Sequence, residues 1–309
     1  MTESALIDSL RRLATHPAAR GLLDDAAVLE LGGTTLVLTH DMLVEGVHFL
    51  AADPPRDVAW KLLAVNLSDL AAKGARPVGV LLGFPLGEES WDRAFVEGLG
   101  TALAAFGIPL LGGDTVAGPR VLGLTAIGEA PGPVPSRAGA KPGDRLWVSG
   151  TIGDAGAGLR VLKGELAEAP ALVERYRTPR PRLELGEALA PLVSAMMDVS
   201  DGLLIDATRM AETSGAALCL DLDAIPLSEA FLSLLGEDRG SRLAAATAGD
   251  DYELLFAAAP ERTQALLALA ERLGIPLTPL GAFAAGSRLT LRDRGGAVPL
   301  PPRLGWEHG

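Results

Sequence analysis

Four apolar runs in this chain end on an aspartate flanked by Gly, Ser, Thr or a second Asp: Asp24-Asp25, Thr39-His40-Asp41, Gly112-Gly113-Asp114-Thr115 and Asp198-Val199-Ser200-Asp201-Gly202. Asp69 and the Gly249-Asp250-Asp251 turn add further carboxylates. Strand ends are where open α/β sheets place their ligands, so the pattern favours a fold whose strands deliver these acids to one place. Each Asp has an ordinary reading taken singly, since Asp is a common helix cap and turn residue. Asp57 reads as a helix N-cap, Ser200 and Asp201 could cap a helix starting near 202, and Asp69 could pair with Lys73 four residues on. Their number is what turns makes hard to explain. Hard oxygen donors in this density suit Mg²⁺, which is commonly shared between carboxylates and substrate phosphates.

Hydrophobic periodicity and turn residues give a mixed α/β (α+β) order. A helix is expected over 3–14, strands over 27–31 and 34–40 joined by the hairpin signal Gly32-Gly33, and a helix over 58–73 stopped by Gly74 with Pro77 beyond. That helix is apolar almost all round, and Asn66, Asp69 and Lys73 extend the stripe of Val58, Leu62 and Val65. A strand over 78–84, a helix over 91–106 and strands over 108–111 and 120–127 follow. The Pro- and Gly-rich segment from Ala130 to Pro135 marks a domain boundary, giving domains 1–132 and 133–309. Beyond it, a strand at 145–149, a Gly-rich turn at 150–158, helices through 159–189, a strand at 195–199, a helix at 202–213 and strands at 216–222 and 252–258 form a second α/β unit.

Several function classes are excluded or disfavoured. There is no G-x-x-x-x-G-K-[ST] loop and no G-x-S-x-G elbow. His16, His40, His48 and His308 are scattered without zinc-site spacing. Cys219 stands alone in an apolar strand, where a small buried hydrophobe is expected, and a reducing compartment fits a chain with no second cysteine. A formal charge of −12 argues against a nucleic-acid partner. No secretory layout or membrane-length apolar run is found, so a cytoplasmic protein with no membrane partner is expected.

Together, the acidic blocks and the runs Glu45-Gly46-Val47-His48-Phe49, Asn66-Leu67-Ser68-Asp69-Leu70, Asp251-Tyr252-Glu253-Leu254 and Gly305-Trp306-Glu307-His308 resemble the thiamine-monophosphate kinases, members of the aminoimidazole ribonucleotide synthetase superfamily. The blocks of Asp alone would indicate only the superfamily; Glu45–Phe49 and Gly305-Trp306 single out the kinases. The resemblance implies two α/β domains, with dimerisation through the N-terminal sheet. It implies ATP-dependent, Mg²⁺-assisted phosphorylation of thiamine monophosphate to thiamine diphosphate. Carried over position by position, it makes Asp25, Thr39, Asp41, Asp69, Asp114, Asp198 and Asp201 ligands of several Mg²⁺ ions. Gly113, Asp114, Arg137 and Ser200 would approach ATP, while His48 would meet the substrate phosphate, Asp250 the thiamine moiety and Trp306 its ring. No side chain is expected as a general base.

Three positions depart from the family pattern: Leu23 replaces a glycine before the first Asp pair, His40 replaces a threonine, and Asp250 replaces a glutamate. A related ATP-dependent synthetase and a non-catalytic nucleotide- or Mg²⁺-binding homologue are the alternatives; two of the former use a cysteine or selenocysteine near a chain end, and Cys219 is at neither.

Overall fold

The computed structural model describes residues 3–307, so His308 of the tail motif lies outside the described residues. Helix α1 (Glu3–Arg11) and a 3-10 segment lead into the hairpin of β1 (Ala27–Leu31) and β2 (Thr34–Val44). Gly32 and Gly33 take φ of 60° and 87°, the left-handed pair a two-residue hairpin needs, with Leu31 opposite Thr34. Helix α2 (Pro55–Ala72), β3 (Arg76–Leu86), α3 (Glu89–Phe106), β4 (Leu110–Ala117) and β5 (Val121–Ala130) complete the first half. Its sheet runs β1-β2-β5-β3-β4, antiparallel except for the β3–β4 pair.

The second half comprises β6 (Arg145–Ser149), α4 (Asp154–Leu162), α5 (Pro170–Arg177), α6 (Leu183–Leu189), β7 (Ala195–Asp198), α7 (Leu203–Ser214) and β8 (Ala216–Asp221). Helices α8 (Glu229–Leu235) and α9 (Arg239–Ala246), β9 (Leu254–Ala258), α10 (Thr263–Leu273), β10 (Leu277–Ala285), β11 (Leu289–Asp293) and β12 (Gly296–Val298) follow. Its sheet runs β12-β11-β8-β10-β6-β9-β7, so sequentially distant strands lie side by side.

The burial of α2 explains its composition. It packs on β2 and β5 of its own sheet, on α3, and on α6 and β7 of the second half, so every face meets protein. Ala71 and Ala72 belong to a core cluster with Leu185, Met196 and Phe256, while Val58, Leu62 and Leu67 belong to the N-terminal core. A helix covered on all sides is apolar on all sides, and the buried polar residues it keeps, Lys61, Asn66 and Ser68, are paired.

Several expected boundaries move. β2 runs on to Val44, because its pairing with β5 continues through Asp41↔Leu124 to Val44↔Val121; Asp41 is therefore inside a strand instead of at its end. Likewise β4 extends through Gly112-Gly113-Asp114-Thr115 beside β3. Pro54 and Pro55 start α2, and Asp57 lies in its first turn without capping it. Gly156 and Gly158 fall within α4, not in a loop before it. The segments forming α8–α10 and β10–β12 carried no distinctive signal. Cys219 is exposed: in β8 residues 216, 218 and 220 turn inward, which leaves 219 facing out.

Candidate active site

Three of the four acidic blocks, with Asp69, meet where the two halves face each other across α2. Carboxylate oxygens of Asp25, Asp69 and Asp198 lie within 4.8 Å of one another, from the β1 approach, α2 and β7 respectively. Asn66 fixes the neighbouring strand, its Oδ1 accepting from the Asp41 amide at 3.0 Å while its Nδ2 donates to Leu62 O. Thr39 donates its hydroxyl to Asp69, and Ser68 donates to Asp198 Oδ2 at 2.6 Å across the domain boundary. The i,i+4 pairing of Asp69 with Lys73 does not form. Lys73, fully buried at the end of α2, bridges Asp24 and Asp25 instead, 2.7 Å from Asp25 Oδ2, and Arg137 pairs with the other Asp25 oxygen.

These partners divide the acids electrostatically. Burial alone would raise Asp25, but Lys73 and Arg137 hold it down at about 2. Among the described residues, Asp41, Asp69 and Asp198 form no ion pair with a lysine or arginine. Burial, followed by repulsion from Asp25 and Asp201, pushes Asp41 up to about 6. Burial and the neighbouring carboxylates raise Asp69 and Asp198 far above the usual range. The arrangement is costly without a cation to share, and its donors are all hard oxygens, so it fits Mg²⁺.

Asp201 and Ser200 do not cap α7. Asp206, inside that helix, accepts from the Asp201 and Gly202 amides, and Arg209 pairs with both Asp201 and Asp206. Burial raises Asp206 to about 7, with Arg209 opposing the rise.

Two cavities open on either side of this cluster and share Asp41, Asp69, Asp198, Ser200 and Asp201 in their walls. One, about 510 Å³, is lined also by Asp25, Arg137 and Arg209 and roofed by α1 residues such as Ile7 and Arg11. The other, about 450 Å³, is lined by His48, Leu159, Asp250, Tyr252 and Trp306. His48 is set by its Nδ1 accepting from the Val44 amide at 3.0 Å. The tail folds back, with the Trp306 amide donating to Asp201 O at 2.8 Å.

The structure does not bring Gly113 and Asp114 into this group. They lie on β4, an edge strand exposed along its whole length and separated from β2 by β5 and β3. The departures at 23 and 40 are explained locally. Leu23 takes an ordinary φ of −114°, while Arg20, Gly21 and Leu22 before it carry the left-handed angles. His40 faces away from the acids, its Nδ1 2.9 Å from Thr125 Oγ1, because strand alternation sends Thr39 and Asp41 to the other side.

Sequence reasoning missed Asp206 and Arg209 and the true partners of Lys73. For Asp206 and Arg209 a signal existed, their i,i+3 spacing on a helix that opens directly after Asp201. For Lys73 none did, since Asp24 and Asp25 are far away in sequence.

Both halves of the chain match the AIR synthase related proteins. The N-terminal domain profile of that family matches residues 23–130 and its C-terminal domain profile residues 141–294. The chain is 45% identical over 304 residues to the thiamine-monophosphate kinase of Caulobacter vibrioides, covering 95% of this chain and 86% of the relative. It is 41% identical to that of Salmonella typhimurium, covering 86% and 84%. Among solved structures, the thiamine-monophosphate kinase of Stenotrophomonas maltophilia superposes with a TM-score of 0.80 at 41% identity, over 95% of this chain and 96% of that one. AaThiL complexed with AMPPCP and TMP superposes with a TM-score of 0.87 at 30% identity, over 100% and 97%. The chain belongs to the thiamine-monophosphate kinase family.

Proposed function

We propose that the protein transfers the γ-phosphoryl group of ATP directly to the phosphate of thiamine monophosphate, releasing thiamine diphosphate and ADP. The observation that carries this reading is the pair of cavities sharing one carboxylate wall. A donor and an acceptor placed on either side would meet end to end at that wall, so positioning supplies much of the rate. Arg137 and Arg209 suit the nucleotide phosphates on one side; His48, Asp250 and Trp306 suit the acceptor on the other, with Ser200 on both. The acceptor phosphate is already ionised, so no side chain need remove a proton.

Asp25, Asp41, Asp69, Asp198 and Asp201, with the Thr39 hydroxyl, would hold several Mg²⁺ ions. Bound there, Mg²⁺ would neutralise the charge of the phosphates drawn together. Asp114 and Gly113 could join a site only from a second chain. A homodimer paired through the N-terminal sheet is therefore part of the proposal, supported by exposed Met42, Leu81, Leu110, Leu111 and Val116 on that sheet. We further take the domains as 1–132 and 133–309, and the setting as cytoplasmic. Among the described residues no helix is long and apolar enough to cross a membrane.

The test is incubation with ATP, Mg²⁺ and a panel of phosphorylated acceptors, with products identified by mass. Thiamine diphosphate formed one-for-one with ADP is the expected result. Equal turnover of unrelated acceptors would favour a different member of the superfamily, and nucleotide binding without ADP release would favour a non-catalytic homologue.

A further inference from the structure

Lys61 is the most constrained polar side chain that phosphoryl transfer leaves unused. It lies on α2 and is 2% exposed. A buried ammonium is expensive unless its donors are taken, and here they are. Nζ donates to the His48 carbonyl at 3.1 Å and to Asp250 Oδ2 at 2.8 Å, and stands 3.9 Å from the centre of the Tyr176 ring. Tyr176 also directs its hydroxyl at the His48 carbonyl, at 3.4 Å.

The partners come from both halves of the molecule. His48 follows β2, whereas Tyr176 ends α5 and Asp250 precedes β9. The second oxygen of Asp250 accepts from the Tyr252 hydroxyl at 2.9 Å, and the Tyr252 ring is buried in the N-terminal core. Asp250 and Tyr252 have φ of 62° and 51°. Residues with side chains hold such angles only where the surroundings impose them. Gly249 just before, at φ 78°, sits so close that an added Cβ would stand 2.8 Å from Ser200 O. The turn is thus pinned from three directions, and Lys61 is the pin that reaches it from the other domain.

We propose that Lys61 is a positioning residue of the acceptor cavity: one ammonium holds the His48 backbone and the Asp250 carboxylate together, and so fixes the span between the phosphate end and the ring end of the acceptor. The inference rests on the function proposed above, in which those two residues face opposite ends of that molecule. An ion pair serving stability alone would need only Asp250. The bond to the His48 carbonyl is what makes the pair a spacer. A second consequence concerns charge. Lys61 already balances Asp250, so Asp250 offers the acceptor a fixed hydrogen-bond acceptor more than a net negative charge. Selection then follows length and donor position in the ring system.

The test compares wild type with Lys61→Met, which keeps the stem and removes the donors, and with Lys61→Arg, which keeps the charge. Turnover constants for both substrates, calorimetric Kd for thiamine monophosphate and melting temperature are measured on each. Lys61→Met should raise KM and Kd for thiamine monophosphate by about tenfold or more and leave KM for ATP within about twofold, with Lys61→Arg recovering part of the loss. Adding Asp250→Asn to Lys61→Met should cost much less than it does in wild type, because the two act as a unit. An unchanged Kd, full additivity, or parallel loss of both KM values and melting temperature would overturn the proposal. Should Lys61→Met fail to fold, Lys61→Arg and Tyr176→Leu decide: a loss specific to thiamine monophosphate supports the spacer, and a uniform loss overturns it. A wild type that binds thiamine monophosphate without phosphorylating it would sink the assigned reaction while the Kd comparison still judged Lys61. One that did neither would overturn both.

Discussion

Replacing Asp41 by Asn offers a direct reading of the electrostatic cost of gathering these acids. The carboxyl is raised from 3.8 to about 6 by burial and then by Asp25 and Asp201. A carboxyl raised in the folded state binds its proton more tightly there than in the unfolded chain. The resulting stability is fully present below about 3.8 and is lost as pH rises through about 6. At 1.36 kcal/mol per pH unit the gap amounts to roughly 3 kcal/mol, and the solvent still reaching half-buried Asp41 trims it to about 1–3 kcal/mol. Asn keeps the shape without the charge. Metal-free Asp41→Asn at pH 7.5 should therefore melt higher than wild type, by roughly 2–5 °C. The difference should vanish near pH 4, where wild-type Asp41 is protonated. Excess Mg²⁺ with a non-hydrolysable ATP analogue should narrow or reverse it, because only wild type keeps the full ligand set, and turnover should be lost. Differential scanning calorimetry across pH, with and without metal, makes the measurement. A variant less stable than wild type at pH 7.5, or a difference independent of pH, would refute the reasoning.

Lys73→Met leaves Asp24 and Asp25 buried without their shared cation, and should destabilise the fold by about 3–5 kcal/mol in urea titration; a loss below about 1 kcal/mol would mean Arg20 and Arg137 suffice. Ser68→Ala removes the bond to Asp198 that crosses the domain boundary, and should cost about 1–3 kcal/mol in the same assay. Trp306→Ala should raise KM for thiamine monophosphate by roughly 2- to 30-fold with little change in KM for ATP, the range expected from stacking on a cationic ring. Lowered melting temperature with unchanged kinetics would instead make Trp306 a packing residue. Activity should need free Mg²⁺ beyond that bound to ATP and show no phosphorylated enzyme; trapping one in a rapid quench would contradict direct transfer.

Where local chemistry decides the structure, the sequence was readable. Gly32-Gly33 names its own hairpin, and the helix α2, apolar almost all round, was legible as a helix, though not the elements that enclose it. The convergence of Asp25, Asp41, Asp69, Asp198 and Asp201 was also legible, as repetition of one pattern. Partner choice was not. Asp69 and Lys73 are spaced for a helical ion pair, yet Lys73 closes its helix at a point where Asp24 and Asp25 arrive from another segment, and two carboxylates outweigh one. Strand length was equally hidden, because β2 and β4 persist for as long as neighbouring strands supply partners and not until their own residues change character. Asp114 shows the limit of motif reading: its block looks like the other three, but the sheet carries it to an exposed edge.

The enclosure of α2 also sets a timetable for synthesis. Ser68 is made 130 residues before its partner Asp198, and Lys61 189 residues before Asp250. At about 5–20 residues per second, the helix waits roughly 7–40 seconds on the ribosome for these hydrogen-bond partners. During that interval Ala71, Ala72 and the buried Lys61 lack the surfaces and partners that later cover them. The first half of the chain should therefore be a chaperone client until β7 and the turn at Asp250 emerge, and nascent chains stalled near residue 132 should be more sensitive to protease than chains stalled after residue 260.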